Sequence, residues 1–140
     1  MSRYVVDASI VVKLYVNEVH SSEANRFFSD GHDLIAPDMM LAEFGNIIWK
    51  KVMLIGDLTQ NEGRRIITAA QALPFDYYAA NDLLADAFEI ALATQRTVYD
   101  CLYVALAVSE SCQFITDDRK LFNAMQPTSY STSLTLIENY

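Results

Sequence analysis

Cysteine and histidine are scarce, with two of each in 140 residues. Cys101 and Cys112 cannot build a disulfide framework. Together with the scattered His20 and His32 they offer too few soft ligands for a zinc site. Basic residues are also in short supply: ten against eighteen acidic ones, a net charge of −8. That argues against a protein held to nucleic acid by a broad basic surface. It leaves a nuclease open, because clustered acids can be neutralised by divalent cations. Long apolar runs are missing as well, and none approaches the roughly 18 residues that span a bilayer. The apolar start "MSRYVVDASIVVKLYV" is broken by Asp7 and Lys13 and lacks a basic leader and a cleavage site, so it does not read as a signal peptide. A cytoplasmic protein without a membrane segment is expected.

What is present suits one folded domain over residues 1–140. Hydrophobic residues make up 52% and charged residues 20%, a globular balance with enough apolar surface for a real core. "RYVVDAS" begins as a short β-branched strand ending at Asp7; "SIVVKLYVNE" has apolar residues at helical spacing and reads as a short helix. "SSEANRFFSDG" has a serine start, Glu23 in its first turn and Gly31 as a stop. "DLIAP" is a strand that Pro37 ends. "PDMMLAEFGNIIWKKVMLIG" reads as one long helix stopped by Gly56. "TQNEGRRIITAAQAL" opens on a Thr59–Glu62 capping box. "PFDYY" is a short strand. "NDLLADAFEIALATQ" is a helix with Leu83, Leu84, Ala87, Ile90 and Ala91 inward. "TVYDCLYVALAVSE" is a helix apolar on nearly every side. "CQFITDD" is a strand ending in acids, "DRKLFNAM" a short helix and "SLTLI" a last strand. Strands alternating with helices imply an α/β sandwich around a mainly parallel sheet. Such sheets bind ligands outside the carboxyl ends of their strands. Asp7, Asp117 and Asp118 all fall there, where Asp7 could equally serve as the N-cap of the helix that follows.

Two further acids sit badly in their surroundings. Asp100 opens an otherwise apolar helix, where it could serve merely as a helix-terminal acid. Glu43 has Met40 and Ile47 as its i−3 and i+4 neighbours, where it could snorkel to water. A stable core alone gives little reason to gather carboxylates at one edge, since they repel and are costly to bury ionised. A divalent cation removes the conflict. Oxygen ligands without a histidine or cysteine cluster point to Mg²⁺ or Mn²⁺. Phosphodiester hydrolysis is the chemistry such a site suggests.

The stretches "VVDASIVVKLYVNE", "APDMMLAEFGNIIWKK", "TVYDCLYVALA" and "FITDDRKL" together resemble, in order, the signature blocks of PIN-domain ribonucleases. The likeness is greatest to the VapC-type toxins of prokaryotic toxin–antitoxin pairs. The resemblance implies a PIN-like sandwich and an acidic quartet around Mg²⁺ (or Mn²⁺), which falls on Asp7, Glu43, Asp100 and Asp118. Thr116 matches the threonine of a Thr-x-Asp pattern. Its middle residue is here Asp117, which leaves two aspartates competing for the fourth place. Ser9 matches a small polar position that helps hold a metal-bound water, or it caps the helix after Asp7.

The resemblance also implies an RNA substrate cut to a 5′-phosphate and a 3′-hydroxyl, a small antitoxin partner and a homodimer. Lys13, Arg119 and Lys120 lie near the acids in sequence and are candidates for phosphate contacts, or plain surface charges. Three other readings stand beside the toxin: a PIN nuclease of RNA processing, a non-catalytic metal-binding interaction module, and a phosphatase with Asp7 as nucleophile. A phosphatase of the haloacid-dehalogenase type would need an Asp-x-Asp motif, and "DAS" puts Ser9 at its second acid.

Overall fold

A computed structural model describes residues 2–140. Five strands form one all-parallel sheet: β1 (Arg3–Val6), β2 (Asp33–Pro37), β3 (Phe75–Tyr78), β4 (Gln113–Thr116) and β5 (Leu134–Leu136). Their order across the sheet is β3-β2-β1-β4-β5. The chain thus builds outward from β1 on one side, then returns to add β4 and β5 on the other. The reversal falls between β1 and β4, and that switch point is where an open parallel sheet leaves a crevice at its carboxyl edge.

Seven α-helices link the strands: α1 (Ala8–Tyr15), α2 (Ser21–Ser29), α3 (Met40–Lys50), α4 (Gln60–Gln71), α5 (Ala80–Thr94), α6 (Val98–Ser109) and α7 (Arg119–Met125). Four of the seven starts carry a side-chain cap. Asp7, Thr97 and Asp118 cap α1, α6 and α7 with their side chains. Thr59 and Glu62 form the expected capping box on α4. The long helix expected up to Gly56 is α3 followed by a wider π-helical turn over Lys51–Ile55. Gly56 ends it at φ +80°, a left-handed conformation that glycine adopts without steric cost.

The strands are apolar because both faces of the sheet are covered. Val5, Val6, Ile35, Ala36, Phe114 and Ile115 are essentially inaccessible. Helix α6 packs against β1, β2, β4 and α5, and Cys101 through Ala107 are all buried. Its all-round apolar surface follows from that position. Leu84 departs from expectation: it is exposed, and α5 turns only Leu83, Ala87 and Ile90 fully inward. Exposed Leu84, Phe88 and Leu92 form a separate stripe at i, i+4 and i+8. Among the described residues no helix is long and apolar enough to cross a membrane.

Candidate active site

Register brings the first acid to the last. Val6 pairs with Ile115, so Asp7 comes level with Thr116 at the end of the neighbouring strand. The Thr116 hydroxyl, wholly buried, donates to Asp7 Oδ2 at 2.7 Å and accepts the backbone N–H of Asp118 at 3.1 Å. Asp7 Oδ1 accepts the backbone N–H of Ser9 at 2.8 Å. One threonine thereby ties the end of β1 to the turn after β4. The same bonds show that Asp7, not Ser9, is the cap of α1.

Glu43, on the first turn of α3, approaches from another helix. Its Oε1 accepts the Tyr103 hydroxyl at 2.5 Å. Tyr103 is buried in α6 and stacked on Phe114, with ring centroids 5.2 Å apart. Burial pushes its phenol far up, so it remains a neutral donor at any working pH. Asp100 lies one turn earlier on α6. The helix cap there is Thr97, whose side chain accepts the Asp100 N–H at 3.2 Å. The Asp100 carboxylate is therefore not needed as a cap.

The carboxylates feel one another. Burial raises Asp7, Glu43 and Asp100 above the usual carboxylate range. Hydrogen bonds from Ser9 and Thr116 oppose the shift at Asp7, and the Tyr103 hydroxyl opposes it at Glu43. Repulsion from Asp100 adds to it at Asp7, repulsion from Asp7 and Asp100 at Glu43, and repulsion from Asp118 at Asp100. Bonds link the four: Thr116 joins Asp7 to the turn that carries Asp118, Arg96 lies between Asp118 and Asp100, and α6 carries both Asp100 and the Tyr103 that donates to Glu43.

The two adjacent aspartates part company. Asp117 Oδ2 sits 3.0 Å from Lys13 Nζ. Lys13 is buried, donates to the Val19 carbonyl at 2.7 Å and lies 3.4 Å from Glu18 Oε1. The expectation that Lys13 contacts phosphate fails, because its ammonium is enclosed by these partners. Asp118 turns the other way: its Oδ1 accepts the Leu121 N–H at 3.0 Å, and its Oδ2 lies 3.8 Å from Arg96 Nη2. Arg119 pairs with Glu138, while Lys120 is exposed.

Arg96 and Tyr103 escaped the sequence reading. Arg96 Nη2 donates to Asp100 Oδ2 at 3.3 Å, the i,i+4 spacing that could have revealed it. Tyr103, three residues after Asp100, shares its helix face, and a buried tyrosine needs an acceptor.

The donor set is all oxygen and suits Mg²⁺ or Mn²⁺. Ser9 Oγ is buried without a hydrogen-bond partner among the described residues, which leaves a polar atom for an added ligand. Among the described residues no three histidine, cysteine, aspartate or glutamate side chains already close around one point. Arg96 bridges Asp100 and Asp118.

An α/β sandwich with an acidic crevice at its topological switch point defines the class, and comparison with known proteins gives it a family. Residues 4–126 match the PIN domain family. Over 122 residues, 85% of this chain and 92% of the relative, the sequence is 37% identical to Ribonuclease VapC3 of Pyrobaculum aerophilum. The structure of PAE2754 from Pyrobaculum aerophilum has the same fold, with a TM-score of 0.73 at 21% identity, covering 99% of this chain and 85% of that one. A toxin–antitoxin complex from Klebsiella pneumoniae gives a TM-score of 0.67 at 12% identity, covering 96% and 97%. The chain belongs to the PIN-domain family, in its VapC-type branch.

Proposed function

We propose that this chain is a metal-dependent endoribonuclease, the toxin of a toxin–antitoxin pair. What supports the reading is the linkage of four acids, Asp7 to Asp118 through Thr116, Asp118 to Asp100 through Arg96, and Glu43 to the helix of Asp100 through Tyr103, in a chain similar over most of its length to a VapC ribonuclease. Mg²⁺ or Mn²⁺ held by these acids would lower the pKa of a water and offset charge on the phosphoryl oxygens. The protein's part is to hold carboxylates ready. Thr116 and the Ser9 N–H orient Asp7, Tyr103 occupies Oε1 of Glu43 and leaves Oε2 free, and the Leu121 N–H fixes Asp118. Such supporting bonds set ligand geometry and are typically worth 10- to 100-fold in affinity or activity.

The partners follow the same reading. The likeness to a chain from a toxin–antitoxin complex supports a small antitoxin. Exposed apolar side chains offer surfaces for it and for a second copy: Trp49 near the end of α3 with Met53, Leu54 and Ile55 in the turn after it, and Leu84, Phe88 and Leu92 on α5. An RNA-cutting toxin works where RNA is, in the cytoplasm. Purified protein should cleave RNA with Mg²⁺ or Mn²⁺, stop in EDTA and resume when the ion is restored. Full activity in chelator would refute the metal-dependent reading.

A further inference from the structure

Arg96 stands at the acidic rim in an unfinished state. Its Nη2 lies between Asp100 Oδ2 and Asp118 Oδ2, at 3.3 and 3.8 Å. Its Nε is buried and has no acceptor among the described residues. A guanidinium that satisfied a purely structural role would use that donor, as Lys13 uses its own, because an unpaired buried N–H is costly. Asp118 is constrained too. Its Oδ1 is committed to the Leu121 N–H, so Oδ2 is the oxygen it has to offer, and Arg96 faces that oxygen. A divalent ion drawing on Asp100 and Asp118 competes with the guanidinium for the same edge, and the two cations repel.

Displaced, Arg96 cannot go far. It belongs to a short link with both ends anchored. Gln95, in the left-handed conformation at φ +60°, ends α5, and Thr97 caps α6. With its backbone held there, a guanidinium freed from the two carboxylates is within reach of a phosphodiester that approaches these acids. Guanidinium groups bind phosphate oxygens through paired N–H donors.

We propose that Arg96 is the counter-ion of Asp100 and Asp118 in the metal-free protein and becomes a phosphate-binding residue of the RNA site once a divalent ion takes those carboxylates. This rests on the metal-dependent ribonuclease reading above.

The test uses Arg96→Gln and Arg96→Met, which remove the charge and keep a stem, with Arg96→Lys as the conservative variant. Mn²⁺ affinity without RNA is read by calorimetry or by the paramagnetic signal of free Mn²⁺. Losing the competing charge should tighten Mn²⁺ binding about fivefold in the Gln and Met variants. RNA binding is read by anisotropy of a labelled single-stranded RNA, with Ca²⁺ as the ion to hold cleavage down. The same two variants should bind RNA about five- to tenfold more weakly, with a salt dependence shallower by about one unit, and Arg96→Lys should restore that slope. Mn²⁺ affinity that is unchanged or weaker in both variants overturns the counter-ion role. RNA affinity and salt slope equal to wild type overturn the phosphate role. Wild-type protein that binds no Mn²⁺ overturns the metal-dependent reading together with this one. Wild-type protein that binds Mn²⁺ while the variants match it overturns the Arg96 proposal alone.

Discussion

Two cation–aspartate corners lie one residue apart on the turn after β4, with aspartates about equally exposed and cations that are not. Lys13 and Asp117 form the first. The lysine side chain is 3% exposed, and its ammonium meets Asp117, Glu18 and the Val19 carbonyl. Glu18 is in turn 3.3 Å from Lys51, so the network continues into the tail of the α3 segment. Arg96 and Asp118 form the second. Both are about a third exposed, their contact is 3.8 Å, and one guanidinium nitrogen has no partner among the described residues. A corner closed around a buried ammonium fixes α1 against the turn, since removing Asp117 takes the nearest anion from a lysine held away from water. An open corner leaves carboxylate edges that a ligand can take. Lys13 holds Asp117 on one side of the turn, and Asp118 lies on the side of Arg96.

Exchanging the two acids is the sharpest way to break this comparison. Asp118→Asn should cut RNA cleavage by about a hundredfold or more and weaken Mn²⁺ binding, because a neutral amide is a poor ligand for a hard cation. Asp117→Asn should leave cleavage per folded molecule within a few-fold of wild type. Its cost should appear in stability, about 1–3 kcal/mol, because Lys13 loses its nearest anion while buried. Cleavage assays beside denaturant melts of both variants read this out. The opposite ranking would mean that Asp117 is the working acid.

The turn also shows how far the sequence could be followed. Strand ends, helix caps and the Thr59–Glu62 box are local, so short stretches reveal them. The placing of Asp7 beside Thr116 needed only two strand ends and a parallel sheet. Choosing between Asp117 and Asp118 needed to know where Lys13 and Arg96 come to rest, and that depends on how α1 and the α5–α6 link pack on the sheet. Lys13 looked like a surface charge because its apolar neighbours in α1 say nothing about the pocket that Glu18 and Val19 close over it. Leu84 failed for a similar reason: helical spacing marks an apolar stripe but not which of two stripes faces the core. Tyr103 was hidden among apolar residues of α6 whose burial explained them all.

Tyr103 gives a second, smaller test, because it supports the open crevice from the core side. Tyr103→Phe keeps the ring stacked on Phe114 and removes only the donor to Glu43. Metal affinity should fall about tenfold, the range for losing a bond that orients a ligand. The sign of the pH effect also follows. The hydroxyl favours the ionised carboxylate, so its loss raises the Glu43 pKa further above its usual value, and the acid limb of Mn²⁺ uptake should move to higher pH. A variant with unchanged affinity and an unmoved limb would show that the bond only stabilises the fold.

The smallest effect is expected at Asp100, in the protein without metal. Its carboxyl is raised by burial first and by Asp118 next, against the lowering effect of Arg96. A carboxyl whose pKa is higher folded than unfolded favours the fold below its unfolded pKa and loses that contribution as pH rises through the folded value. At neutral pH the ionised group is therefore a net burden. Asp100→Asn should keep metal-free stability level or raise it by up to about 1 kcal/mol at pH 7, the gain limited by the lost attraction to Arg96 and by solvent screening. The variant should also lose less stability than wild type between pH 4 and pH 7, and added Mn²⁺ should stabilise it less. Thermal melts across that range, with and without Mn²⁺, measure all three. A variant that melts lower than wild type at pH 7 without metal would show that Arg96 and Asp100 form a structural pair. The contrast between a closed corner and an open one would then fail at its open end.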